Sequence, residues 1–159
     1  MTTPTVEIHG FPFLTQLIGG DYHSVDVVMN GLDAGDLRVD RLSVHVQGAH
    51  VSIGDVVSQD RSRIRIDKAS AALRLTFADV VAYLGHQVGV HVPGGAITQS
   101  AITGASVRGG DSIVLQTKLG VDLPLTITGL PFGIRLTSAK VTQVGIEVTG
   151  VANGLVLRS

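Results

Sequence analysis

The chain has 159 residues and a net charge of −1; 44% of it is hydrophobic and only 16% charged, where a charged share of about 25% is usual. That excludes a disordered chain, which would be polar and charged. With 4% aromatics, no Trp and no basic surplus, no nucleic-acid partner is expected. Cys is absent, which removes disulfides, thiolate metal sites and Cys nucleophiles. Mean hydropathy is +0.37, yet no apolar run is long enough for a membrane-spanning helix. The surplus apolar surface must go to a lumen, a partner interface or a membrane face. One domain over residues 1–159 is expected.

Val, Ile and Thr supply 47 residues, a β composition, because branched side chains suit a pleated surface. The chain begins extended. Residues 10–20 then read as a turn at Phe11-Pro12 and a short apolar helix with Phe13, Leu14, Leu17 and Ile18 at helical spacing. Residues 22–29 read as a strand, with turn chemistry at Asn30-Gly31 and again at residues 33–36. The strand 37–46 changes parity between Val39 and Leu42, and a bulge near Arg41 would reconcile the two halves. Residues 53–58 read as a single helical turn. The strand 63–75 repeats the slip, with Ile64 and Ile66 on one parity and Ala69, Ala71, Leu73 and Leu75 on the other.

Thr76 with Asp79 three residues on resembles a capping box. The helix that follows places Phe77, Val80, Val81 and Leu84 on one face and is expected to end at Gly85. Residues 88–92 read as extended, Pro93-Gly94-Gly95 as a turn, and 96–107 as a strand. From Ile113 to Leu125 every apolar residue of one stripe is odd-numbered, which predicts one continuous strand. That stripe is either ordinary core or the lining of an apolar lumen. After a turn at residues 129–133, strands over 134–141 and 146–156 close the chain. Elements of this kind, segregated rather than alternating, make an α+β class that is mostly β.

Motifs for a nucleophile elbow, a phosphate loop, an EF-hand or an H-E-x-x-H metal site are absent from the sequence. His45 and His50 are five apart, as are His86 and His91, but spacing alone does not build a metal site. His23 beside Asp21, Ser24 and Asp26 cannot form a triad, because neighbours along a strand point to opposite faces. Arg61, Arg63 and Arg65 alternate with Ser62, Ile64 and Ile66. They offer guanidinium groups for a lipid phosphate, or simply the wet face of an amphipathic strand. No catalytic residue, metal or cofactor is assigned.

The stretches GFPFLTQLIGGDYHSVDV (residues 10–27), TFADVVAYLG (76–85) and LPLTITGLPFGIRLTSAKVTQVGIEVTG (123–150) resemble the LmeA-like phospholipid-binding family of actinobacteria. The resemblance implies a curved antiparallel sheet, a half-barrel, wrapped around one main helix with an apolar lumen. It implies binding of phospholipid or a similar apolar small molecule, peripheral membrane contact, and a place in cell-envelope lipid or lipoglycan metabolism. It implies a periplasmic or envelope location. Residues 1–20 carry Pro4, Glu7 and Gly10 where a leader would be unbroken and apolar, so a cytoplasmic location or a trimmed leader is the other expectation. The expected lumen lining is Phe13, Leu17, Leu73, Leu75, Phe77, Val81, Leu84, Leu115, Leu119, Val121, Leu123, Phe132 and Leu136, with Arg61, Arg63 and Arg65 toward the phosphate. Two rivals stand beside lipid binding. One is a cyclase-like enzyme that folds a linear substrate in the same pocket, with His as acid–base groups. The other is a structural domain whose apolar surplus makes a dimer interface; the oligomeric state is left open.

Overall fold

The computed structural model describes residues 5–9, 21–51, 63–88, 101–130 and 133–158. Nine strands and one helix account for them: β1 (Thr5–His9), β2 (Asp21–Ala34), β3 (Leu37–Val51), β4 (Arg63–Leu75), α1 (Phe77–Val88), β5 (Ile102–Arg108), β6 (Ser112–Thr117), β7 (Asp122–Thr126), β8 (Arg135–Val141) and β9 (Ile146–Arg158). A six-stranded sheet runs β1-β2-β3-β4-β9-β8 and a three-stranded sheet runs β5-β6-β7. Every pairing is antiparallel. Neither sheet closes into a barrel. The expectation of a mostly β chain with a curved antiparallel sheet and one helix holds.

β2, β3, β4 and β9 are long, and their apolar residues change parity partway. In β3, Leu37 and Val39 are buried, then Leu42, Val44 and Val46, then Ala49. A bulge in one strand would shift its register against both neighbours and turn their side chains over. No bulge occurs near Arg41. The β2–β3 register is the same before and after the change: Asn30 faces Arg41, Leu32 faces Val39, and the ladder skips only Gly31 and Asp40. Both strands slip at the same row, so the apolar face stays on one side.

A second such row crosses four strands. The ladders skip His23/Gly48, Gly48/Asp67 and Asp67/Gly154. Gly48 and Gly154 both take positive φ, 64° and 61°, a conformation that disfavours any Cβ. Past this row the inward residues are Ala49 and Ile66, whereas before it they are Val46 and Ala69. The parity slip read in residues 63–75 is therefore real, and it belongs to a line across the sheet rather than to one strand.

Three other elements differ from expectation. β2 runs through Asn30-Gly31 to Ala34, and the turn is the two-residue Gly35-Asp36. α1 continues past Gly85 to Val88. A mid-helix Gly costs about 1 kcal/mol against Ala, and Gln87 compensates by donating a 3.0 Å hydrogen bond from Nε2 to Asp36 in that turn. The expected single strand over 113–125 is two strands, β6 and β7, joined by a turn at residues 118–121. Parity alone could not reveal it, because Leu115 pairs with Leu123 and the stripe keeps its phase through the turn. The proposed helices at 10–20 and 53–58, and the turn at 93–95, lie outside the described residues.

The helix start follows its sequence signal. Asp79 N–H donates to Thr76 Oγ1 at 3.1 Å, while Thr76 N–H and Oγ1–H donate to Asp79 Oδ2 at 3.3 and 2.6 Å. This reciprocal cap satisfies donors that have no partner in the first turn. The sheets are joined where Leu136 N–H on β8 donates to Gly110 O, in the turn before β6, at 2.8 Å. A single hydrophobic cluster draws on both sheets and the helix.

Candidate functional site

The inner face of the six-stranded sheet is not evenly covered. Over β3 and β4 it is sealed: Leu42, Val44, Leu73 and Leu75 are all 2% exposed or less. Over β2 it is half open, with Val25, Met29 and Leu32 only partly buried against the core. Helix α1 covers the sealed part with Val80, Tyr83 and Leu84. Tyr83 was missed by the helical-face reading; its hydroxyl accepts a 3.3 Å hydrogen bond from Thr126 N–H, which joins the helix to β7.

The structure brings part of the expected lining together. Leu73, Leu75, Leu84, Leu115 and Leu136 are buried in the one core cluster, with Phe77 and Leu123 packed against it. Val81 is half-buried. Leu119 and Val121 stand apart from these, 89% and 52% exposed, because the turn between β6 and β7 carries them out of the stripe. Phe13, Leu17 and Phe132 lie outside the described residues. Val25, Met29 and Leu32 were not foreseen as a group, since β2 was expected to end at Met29.

Of the arginines, Arg61 lies outside the described residues. Arg63 faces Arg158 and Arg65 faces Val156 in the β4–β9 ladder, and Arg65 is exposed.

The outer face of the same sheet is polar. Asp26, His45 and Ser70 occupy one row across β2, β3 and β4. His45 Nδ1 lies 2.5 Å from Asp26 Oδ1, so the carboxylate orients the ring. Residues so far apart in sequence become neighbours only through register, which is why the sequence gives no sign of the row. Carboxylate, imidazole and hydroxyl in this order could move a proton, but an open sheet face offers a substrate no walls. His23, His50 and His86 are exposed and His45 is half-buried on the outer face. Among the described residues no three His, Asp or Glu side chains gather as a metal site needs.

Among the described residues no helix is long and apolar enough to cross a membrane. A family model described as LmeA-like phospholipid-binding matches residues 2–128. No curated protein and no solved structure matches the chain.

Proposed function

The chain belongs to the LmeA-like phospholipid-binding family, and on that premise we propose that it holds phospholipid acyl chains against the apolar inner face of its six-stranded sheet. The observation that carries this is the half-open stretch of that face on β2, where Val25, Met29 and Leu32 remain partly exposed. Acyl chains laid there gain about 0.8 kcal/mol for each CH₂ removed from water. The sealed leucines on β3 and β4 form the floor and keep it rigid. The head group reaches the end of the sheet where β4 begins, and the exposed Arg65 there offers its phosphate a guanidinium group. A two-chain lipid barely dissolves alone, so a carrier that shields its chains makes it mobile between membranes. That role fits cell-envelope lipid or lipoglycan metabolism, and we place the protein in that compartment on the family's account.

The test is native mass spectrometry of the purified protein, with lipid extraction of the same sample. One phospholipid per chain is the expected result. Affinity for lipids of decreasing chain length should fall about fourfold per CH₂. Met29→Gln, a polar change on a face that is only half-buried, should reduce bound lipid without unfolding the protein. An empty chain that also refuses added phospholipid would sink the proposal.

A further inference from the structure

Four large hydrophobic side chains are exposed among the described residues: Leu119, Val121, Val144 and Val156. Two of them share the β6–β7 turn. That turn is rigid. Thr117 N–H donates to Val121 O at 3.2 Å, and Gly120 N–H donates to Thr117 O at 3.0 Å. The Thr117 hydroxyl donates to Val121 O at 2.8 Å and accepts from Val121 N–H at 3.2 Å. Lys118 N–H donates to Ala101 O at 3.0 Å, which ties the turn to the start of β5. Gly120 supplies the positive φ, 72°, that closes the loop. Leu119 is thus fixed in water at 89% exposure by a network of its neighbours' hydrogen bonds. Lys118 beside it is exposed and makes no ion pair among the described residues. Asp122, the nearest acid along the sequence, opens β7 on the far side of the apex.

We propose that this turn is where the protein touches a lipid bilayer, with Leu119 and Val121 entering the boundary between head groups and acyl chains and Lys118 meeting lipid phosphate. The proposal rests on the lipid-carrier reading above and adds the contact through which a carrier reaches its source membrane. The shape of the feature favours a bilayer over a protein. A specific protein interface buries about 800 Å² on each partner, far more than two side chains on a turn present. A bilayer asks only for a short apolar point that reaches ~5–10 Å below its surface, with a cation beside it for the anionic surface. So small an anchor also binds weakly, which lets a carrier leave again.

The chain has no Trp, so Leu119→Trp creates a sole reporter at the apex. Its emission is measured with vesicles of mixed phosphatidylcholine and phosphatidylglycerol. The expected result is a blue shift and protection from aqueous iodide when vesicles are added. Leu119→Ser, at a position too exposed to matter for folding, should weaken vesicle binding about tenfold. Emission that stays as in buffer, or that shifts with protein concentration before any vesicle is added, overturns the proposal; the latter would mean that a second copy covers the turn. Uptake of a short-chain phospholipid kept below its micelle threshold is measured on the same variant. If that lipid binds while emission is unmoved, the docking turn is refuted and the carrier reading stands. If emission shifts and no lipid binds, the docking turn stands and the carrier reading fails.

Discussion

Gly48 and Gly154 lie in one row across the sheet, with nearly the same φ of 64° and 61°, but in different surroundings. A Cβ on Gly154 would meet nothing within 4 Å. A Cβ on Gly48 would lie 2.2 Å from Asp67 Oδ2, 2.8 Å from its Cγ and 3.0 Å from its Cβ. Gly154→Ala therefore carries backbone strain alone, about 1 kcal/mol. Gly48→Ala carries the same strain and a collision besides. Rotating Asp67 moves its carboxylate aside, at the expense of its 3.2 Å bond to His50, but leaves its Cβ in place. Strain and overpacking together come to about 2–3 kcal/mol. At ~2–4 °C per kcal/mol for a chain of this size, Gly154→Ala should lower Tm by about 3 °C and Gly48→Ala by about 6–9 °C. Thermal melts followed by circular dichroism give both values. Adding Asp67→Ala to Gly48→Ala should recover part of the loss. Equal losses at the two glycines, or no recovery in the double variant, would refute the close approach of β3 and β4 at this row.

Thr76→Ala removes the reciprocal cap of α1 and should cost about 1 kcal/mol in urea unfolding. Tyr83→Phe leaves Thr126 N–H without its side-chain acceptor and should cost about 1 kcal/mol, with helix and β7 loosening together in hydrogen exchange. Leu115→Ala opens a cavity at a fully buried position and should cost ~2–5 kcal/mol, while Val121→Ala, on the same sequence stripe but exposed, should leave Tm within a degree or so of wild type. Asp40→Asn breaks the Arg74 ion pair, whose side chains are 37% and 43% exposed. It should cost under about 1 kcal/mol, and the loss should shrink in high salt as the charges are screened.

Local chemistry was legible where one short segment carries the whole signal. The Thr76/Asp79 cap needs only four residues and forms as expected. Branched residues marked the strands, because their preference is a property of each side chain. The parity slips in residues 37–46 and 63–75 could be seen as well, but not their form. A single bulge and a matched slip in adjacent strands leave the same trace in one strand; only pairing tells them apart. The stripe over 113–125 misled for a related reason. A turn that preserves phase is invisible to periodicity, so Leu119 and Val121 read as lining although they sit at an apex.

The candidate site divides in the same way. Buried leucines such as Leu73 and Leu115 were identified from alternation, since a period of two already assigns them a face. Which part of that face is sealed and which half open depends on where α1 and the second sheet come to rest, and so Val25, Met29 and Leu32 emerged only from the packing. The Asp26–His45–Ser70 row likewise exists only through register. The sequence by itself determined a mostly β chain with one capped helix, an apolar surplus and a lipid-binding family, because composition, capping and motif are local or summed properties. The tertiary structure decided which apolar residues face the core, the open edge or the water, because solvent exposure is a property of neighbours distant in sequence.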